Sequence, residues 1–336
     1  MTISRIKLRP VADQTVVITG ATSGIGLASA RMLASAGTRV MLIARNEQAL
    51  QTIVSRIAEQ GGIADYAVAE MGDRKAVEAA AARTIECFGG FDAWVNNAGV
   101  AIYARLSETP EDEHERLFRT NYFGVVHGSL IALSHLRDKG GTIINMGTIG
   151  SEVPSAILGA YTASKHAMRA FTQALRQELI AQDVPVAITL LLPAGVATPL
   201  AEHAAVHADG DPQIPVPAYD PEVVARAVVD AVAHPRGDMH VGGRGLATVL
   251  AGQHAPGLRD RLGDTTQHTL IDPAARQDHA GNLFMPMDAG RERSHTQTGR
   301  RRSTLTTARR SPTAIAAGGA FMTAAGLWAA YRMMKR

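Results

Sequence analysis

The sequence predicts an α/β fold whose core is a doubly wound parallel sheet of seven strands. Short apolar runs recur along the chain, and they are continuous rather than alternating, as expected for strands covered on both faces. Helical stretches such as 26–37 and 113–136 fill the gaps between them. This alternation is typical of a parallel sheet with helices on both sides. The predicted strands are 15–20, 39–44, 65–71, 92–99, 142–147, 186–193 and 238–243.

The composition of the chain changes towards its C-terminus. The 336 residues allow one large α/β domain, which we place over 1–245, followed by a C-terminal extension over 246–290 with loop composition. Residues 291–312 are polar and basic, and they predict a disordered linker because they offer no apolar face to bury. An apolar helix is predicted over 313–331.

The charges are also unevenly distributed. Residues 291–336 carry ten Arg or Lys and one Glu, a net charge of +9, whereas the whole chain carries +3 and its remainder −6. A mildly acidic body with a basic tail argues against a nucleic-acid partner. The N-terminus lacks the apolar core of a signal peptide, and Cys87 is the one cysteine. We therefore expect a reducing, cytoplasmic location.

The apolar segment over 313–331 is a candidate for membrane contact. Its 19 residues carry no charge, and as a helix they reach about 28 Å, close to the hydrocarbon thickness of a bilayer. Eight Ala and three Gly make insertion marginal. The segment therefore predicts a membrane span, a helix on an anionic surface, or a helix packed on a partner chain. Fractionation of the full chain against a chain ending at Arg310 distinguishes the first two from the third.

A glycine-rich turn, "TGATSGIG" (19–26), follows the first predicted strand directly and opens a helix. Gly20, Gly24 and Gly26 permit a tight turn and let backbone N–H groups approach a pyrophosphate at the helix N-terminus. The alternative is a purely structural strand–helix turn. The context on both sides favours a bound dinucleotide.

The end of the second strand, "LIARN", indicates which dinucleotide is bound. An NAD enzyme places an acid here to hold the ribose 2′-hydroxyl, whereas this chain has Ala44 followed by Arg45. A guanidinium suits a 2′-phosphate, which a carboxylate would repel. The sequence therefore favours NADP(H) over NAD(H), with a solvated surface arginine as the alternative.

Tyr161 and Lys165 lie four residues apart in the strongly helical segment "YTASKHAMRAFTQALRQEL". Residues at this spacing share one face of a helix. The lysine charge is expected to lower the pKa of the phenol from its ordinary value of about 10 towards neutral pH. The pair therefore predicts a tyrosine that exchanges a proton with a substrate.

Several motifs fall in an order that resembles the compact form of the short-chain dehydrogenase/reductase family. They span Gln14 to Gly243 and are "TGATSGIG" (19–26), "NNAG" (96–99), "RTNYFG" around Asn121, "YTASK" (161–165) and "PAGVATP" (193–199). The resemblance implies a Rossmann fold and an oxidoreductase that interconverts a carbonyl and a secondary alcohol by hydride transfer. The alternative is a non-catalytic NADP(H)-binding sensor or scaffold of the same fold.

The resemblance also implies a role for each matching residue. Tyr161 is the general acid or base, Lys165 holds the nicotinamide ribose and tunes Tyr161, and Asn121 supports a water in the proton relay. Glu70 stands where the family usually has an Asp near the adenine. The expected cofactor-binding residues are Gly20, Ser23, Gly24, Ile25, Gly26, Arg45, Glu70, Asn97, Ala98, Gly99, Tyr161, Lys165, Val196 and Thr198.

The family's catalytic serine corresponds to a threonine in this chain. It lies three residues after the strand asparagine and thirteen before the tyrosine, and both counts reach Thr148. Ser151 falls on the family's usual glycine, and Ser155 lies further along the loop. Threonine keeps the hydroxyl that binds the substrate oxygen. The alternative is that Thr148 is only a loop hydroxyl.

The expected partners are a small-molecule carbonyl or alcohol substrate and further copies of the chain. The segment 200–219 is expected to cover the site as a lid, and its Ala-rich and Pro-rich composition favours an apolar substrate. His203 and His207 in this lid have no evident third ligand, so we predict no metal. The resemblance implies a homodimer or homotetramer built on the helices around Asn121 and Lys165, with apolar residues Phe123, Val126, Phe171 and Leu175.

Overall fold

The computed structural model describes residues 6–243, 249, 269–273, 281–287, 289–303 and 306. Its strands are β1 Thr15–Thr19, β2 Arg39–Ala44, β3 Ile63–Val68, β4 Ala93–Asn96, β5 Ile102–Tyr103, β6 Gly141–Met146, β7 Val186–Pro193, β8 Ala205–Val206, β9 Asp211–Pro212, β10 Asp238–Val241 and β11 Ile271–Asp272. Its α-helices are α1 Gly24–Ser35, α2 Glu47–Glu59, α3 Arg74–Phe88, α4 Glu111–Phe118, α5 Gly124–Leu136, α6 Gly159–Ala181 and α7 Pro221–Ala233.

The seven predicted strands form one parallel sheet, which confirms the predicted fold class. The strand order is β10-β7-β6-β4-β1-β2-β3. The chain therefore builds outwards from β1 in one direction and from β4 in the other. Such a reversal opens a crevice at the carboxyl ends of the two central strands, where ligands of open α/β sheets bind. The glycine-rich turn follows β1, and "NNAG" begins at the end of β4, so both lie at this crevice.

The sheet is covered on both faces, as the continuous apolar runs predict. Along β1, Val16 and Ile18 pack into a core shared with α1 and α7. Val17 points to the other face and packs into a core shared with α3, α5 and α6. All three side chains are fully buried. This alternation fixes the register of β1 and hence the position of the turn that follows it.

The stretch predicted as one helix over 113–136 is interrupted in its middle. Helix α4 ends at Phe118, a π-helical turn runs from Arg119 to Phe123, and α5 begins at Gly124. Single π turns inside helices are common at functional sites because they displace one side chain from the regular helical face. Here the displaced turn contains Asn121.

The described part of the predicted disordered linker, 291–303, is ordered and packs on the main domain. Arg293 pairs with Asp220 at 2.8 Å and with Glu222 at 2.6 Å, and Arg291 pairs with Glu202 at 3.0 Å. The main chain of Arg300 also bonds to Ala218 and Asp220. The prediction of disorder is therefore wrong for these residues, because the basic side chains meet acidic residues of the body rather than solvent.

Membrane contact of the C-terminal segment stays a prediction, because 313–331 lies outside the described residues. Within the part of the chain that the structure describes, no helix is long and apolar enough to cross a membrane.

Candidate active site

A cavity of about 520 Å³ lies at the carboxyl edge of the sheet and joins the predicted cofactor and catalytic residues. Of all the site residues predicted from the sequence, only Gly26 and Asn121 do not line it. The predicted residues that line it are Gly20, Ser23, Gly24, Ile25, Arg45, Glu70, Asn97, Ala98, Gly99, Thr148, Tyr161, Lys165, Val196 and Thr198.

The glycine-rich turn is packed too tightly to accept side chains. Gly20 has a φ of +63°, in the left-handed region that disfavours other residues, and an added Cβ would lie 2.7 Å from the Ala98 Cα atom. An added Cβ at Gly26 would overlap the Gly20 carbonyl and lie 2.6 Å from Asn97 Nδ2. Gly26 therefore lies beneath the turn and lets the first turn of α1 pack closely against Gly20 and Asn97.

Hydrogen bonds between the ends of β1 and β4 hold the two predicted cofactor motifs together. The Thr19 hydroxyl accepts the N–H groups of Asn97 and Ala98, both at 3.0 Å. In return, Asn97 Nδ2 donates to the Thr19 carbonyl at 3.0 Å and to the Gly20 carbonyl at 3.2 Å. These bonds fix the floor of the cavity.

Helix α6 places Tyr161 and Lys165 on the cavity wall, as their spacing predicts. Lys165 is only 4% exposed, and its ammonium group donates to the Met146 carbonyl at 3.0 Å. It lies 5.8 Å from the centroid of the Tyr161 ring. Gly99 lies next to this ammonium, since an added Cβ there would be in ordinary van der Waals contact with it at 3.6 Å.

The pKa values of this pair differ from the expectation. Burial raises the pKa of Tyr161 to about 12 and lowers the pKa of Lys165 to about 8. Loss of hydration penalises the phenolate and the ammonium alike, and at Tyr161 this penalty is the dominant effect. The prediction that Lys165 brings the Tyr161 pKa towards neutral pH is therefore wrong for the chain by itself.

Asn121 lies behind the cavity wall and is fully buried. Its Oδ1 accepts the Val100 N–H and its Nδ2 donates to the Val100 carbonyl, both at 2.9 Å. Nδ2 also lies 3.1 Å from the hydroxyl of Ser164, which bonds to the Tyr161 carbonyl. The side chain thus ties the loop after β4 to α6 beside Tyr161. Its role in a proton relay stays a prediction.

The three hydroxyls of the loop after β6 lie in different surroundings. Thr148 lines the cavity, whereas Ser151 is fully buried and accepts the Thr148 N–H at 3.1 Å. Ser155 also lines the cavity, and its hydroxyl has no hydrogen-bond partner among the described residues. Thr148 therefore remains the candidate for the hydroxyl that binds the substrate oxygen. Ser151 holds the loop, and Ser155 is a second hydroxyl on the cavity wall.

Arg45 lies at the end of β2, at the predicted 2′-phosphate position, but it already has partners. Its guanidinium lies 3.4 Å from the Glu70 carboxylate, donates to the Leu283 carbonyl at 3.1 Å and also bonds the Asn282 carbonyl. Arg116 pairs with the same Glu70 and donates to the Leu283 carbonyl at 2.8 Å. Two guanidinium groups therefore face one carboxylate, which leaves one net positive charge at this end of the cavity.

Sequence reasoning missed the C-terminal wall of the cavity. We call residues 281–287 and 289–293 the C-terminal strap. The strap crosses the end of the cavity where the glycine-rich turn and Arg45 lie, and its residues Asn282, Pro286 and Met287 line the cavity. The available signal was the apolar cluster "NLFMPM" (282–287) inside a stretch of loop composition. Arg116 carried no sequence signal, because it reaches the site only through folding of α4.

The predicted lid also lines the cavity, through residues such as Leu200, His203 and Val216. His207 bonds to Glu113 at 2.9 Å. Within the described ranges, no group of three His, Cys, Asp or Glu residues has the arrangement of a metal site.

Comparisons with known proteins agree with this geometry. A sequence model of the short chain dehydrogenase family matches residues 14–208. The uncharacterized oxidoreductase YxnA of Bacillus subtilis is 37% identical over 262 residues, which are 77% of this chain and 74% of that protein.

Two solved structures share the fold. A short chain dehydrogenase/reductase from Burkholderia phymatum, in complex with NAD, has a TM-score of 0.66 and 25% identity, covering 79% of this chain and 98% of its own. An alcohol dehydrogenase from the archaeon Thermococcus sibiricus, complexed with 5-hydroxy-NADP, has a TM-score of 0.60 and 27% identity, covering 68% and 95%.

The chain therefore belongs to the short-chain dehydrogenase/reductase family, and it is an oxidoreductase. Binding of NAD or NADP and of a small-molecule substrate is typical of this family.

Proposed function

We propose that this protein is an NADP(H)-dependent oxidoreductase that interconverts a carbonyl and a secondary alcohol. The observation that supports this most strongly is the single cavity that has the glycine-rich turn at one end and Thr148, Tyr161 and Lys165 on its wall. Reduction of a carbonyl to an alcohol requires a hydride from a dinucleotide and a proton from a donor, and this cavity brings the two sites together.

Each side chain has a separate task in the proposed reaction. When bound, the nicotinamide supplies or accepts the hydride. The Thr148 hydroxyl donates a hydrogen bond to the carbonyl oxygen, and Tyr161 gives this oxygen its proton. Lys165, held by the Met146 carbonyl, places a positive charge beside the phenol and binds the ribose of the cofactor.

At neutral pH the Tyr161 phenol is in the form that can donate a proton. Because burial raises its pKa to about 12, the phenol carries its proton at neutral pH. Carbonyl reduction consumes the protonated phenol, whereas alcohol oxidation requires the phenolate. Lys165, with its pKa lowered to about 8, still carries its charge at pH 7.

The cofactor preference rests on Arg45 and Arg116. Arg45→Ala is expected to lower the preference for NADPH over NADH by about 10- to 100-fold, the effect of one charge-assisted contact to a 2′-phosphate. The measurement is kcat/KM with each cofactor. Glu70→Gln is the matched control, because it removes the opposing charge and should increase the preference. Equal values for the two cofactors in the unaltered protein would remove the role of Arg45.

The substrate side of the cavity supports an apolar carbonyl compound. Its wall includes Ala101, Leu158, Leu200, Ile214 and Val216. NADPH consumption with ketones, aldehydes, steroids and acyl thioesters tests this proposal and identifies the substrate class. We expect turnover with a bulky apolar carbonyl compound and little with small polar ones, and the reverse order would contradict an apolar pocket.

A homodimer or homotetramer formed on α5 and α6 also stays a proposal. Phe123 beside α5 is 47% exposed, which supports it, whereas Leu175 packs inside its own subunit and cannot contribute. Light scattering of the full chain checks the assembly, and a monomer would contradict it.

A further inference from the structure

The C-terminal strap is attached to the body at both of its ends. At one end, the Asn282 N–H donates to the His203 carbonyl at 2.8 Å. Leu283 is fully buried in an apolar cluster with Leu117 of α4 and Ala205 of the lid. At the other end, the Gly290 N–H donates to the Thr22 carbonyl at 2.7 Å.

Ion pairs reinforce the second attachment. Glu292 pairs with Arg31 of α1 at 2.7 Å, and Arg293 pairs with Asp220 at 2.8 Å. Between the two ends, Phe284 and Met285 are 47% and 72% exposed and do not line the active-site cavity. The strap is therefore held at its ends and bridges the space between them.

The bridge runs along the outside of the cofactor end of the cavity. Pro286 and Met287 line this cavity on one side and, on the other, an open cleft against α2. They are therefore a partition between the cofactor site and the protein surface. The described residues leave the space beneath the partition open, so the strap covers the site without filling it.

The strap also bonds to residues predicted to bind the cofactor. The carbonyls of Asn282 and Leu283 accept from Arg45, and the carbonyl of Arg291 accepts the Gly24 N–H at 2.9 Å. Gly24 therefore gives its N–H to the strap, and the neighbouring N–H groups of the helix N-terminus are left for a pyrophosphate. The strap positions the Arg45 guanidinium at the edge of the cavity.

We propose that the C-terminal strap is the outer wall of the dinucleotide site, that it retains the adenosine part of the bound cofactor, and that it must move for the cofactor to enter or leave. The apolar side chains of Pro286 and Met287 suit the face of a purine, and the strap carbonyls hold Arg45 towards the ribose phosphate. This proposal rests on the proposed function, since it needs a nicotinamide dinucleotide in the cavity.

The test measures cofactor binding directly in the full chain. NADPH fluorescence gives the dissociation constant. A stopped-flow chase with excess NADP⁺, which does not fluoresce, gives the dissociation rate of NADPH. Leu283→Ala, which removes the buried anchor, is expected to raise the dissociation rate by about tenfold or more and to weaken binding. The matched control is Phe284→Ala, which truncates the adjacent side chain outside the cavity and should change the rate less than about twofold.

Arg293→Ala is the second release variant. It removes the ion pairs with Asp220 and Glu222 that fix the other end of the strap. Faster dissociation in this variant as well as in Leu283→Ala indicates strap release, because the two anchors lie at opposite ends of the strap. Unchanged dissociation in both release variants would overturn the proposal, as would tighter binding, which would make the strap a competitor of the cofactor. Failure of the unaltered protein and of every variant to bind NADPH or NADH would overturn the proposed function and this inference with it.

Discussion

Tyr161→Phe is expected to lower kcat for carbonyl reduction by about 10²- to 10⁴-fold, the usual contribution of a positioned general acid. The ring, which packs against the apolar clusters that contain lid residues and Leu283, is retained, so the fold and the cavity should persist. Only the hydroxyl that delivers the proton is lost. Steady-state NADPH consumption with the best carbonyl substrate measures the effect.

Tyr103→Phe is the matched control for this change. Tyr103 is a second phenol on the cavity wall and is buried, and its hydroxyl donates to the Gln213 carbonyl at 3.1 Å. Its removal should cost about tenfold at most, as expected for one neutral hydrogen bond. Equal losses in the two variants would mean that Tyr161 acts through packing rather than proton transfer.

Thr148→Ala is expected to lower kcat by about 10²- to 10³-fold, by analogy with the loss of one donor from an oxyanion-type site. Thr148→Ser keeps the hydroxyl and should retain activity. The measurement is kcat, together with a cofactor dissociation constant that should change little.

Two serines of the same loop provide the comparison for Thr148. Ser151→Ala removes a bond to the Thr148 N–H outside the cavity and should have a small effect. Ser155→Ala removes a hydroxyl that does line the cavity. If either serine variant loses more activity than Thr148→Ala, the residue count that selects Thr148 is wrong.

The sheet and the positions of its loops could be predicted from the sequence. Runs such as "TVVIT" (15–19) and "RVMLIA" (39–44) have no alternation because both faces are buried, and this pattern is local. The motif residues follow these strands directly, so predicting the strands also predicts the crevice. For the same reason, 14 of the predicted site residues meet in one cavity.

The break of the helix at Asn121 could not be predicted from periodicity. The residues "RTNYF" (119–123) contain neither Gly nor Pro, which are the usual signals of a kink. The π turn instead coincides with tertiary hydrogen bonds of Asn121 to Val100 and Ser164. Such contacts between distant residues leave no local pattern.

The ordered packing of residues 291–303 and the path of the C-terminal strap could not be predicted from the sequence for a similar reason. Several attachments are main-chain hydrogen bonds, such as Gly290 to Thr22 and Gly24 to Arg291, which any residue type can make. Others are ion pairs between residues far apart in sequence, such as Arg293 with Asp220. A basic composition indicates solvent exposure only when the fold offers no acidic partners.

We propose that a nicotinamide cofactor bound in this cavity transfers a hydride to a carbonyl carbon. The most direct test of this transfer uses NADPH with deuterium at both hydrogen positions of nicotinamide C4. It is incubated with the best carbonyl substrate from the panel, and the product is analysed by mass spectrometry. We predict an alcohol that carries the transferred deuterium on the carbinol carbon, formed by the unaltered protein and about 10²- to 10⁴-fold more slowly by Tyr161→Phe. Tight NADPH binding without deuterium in any product would contradict the claim and favour a cofactor-binding sensor or scaffold.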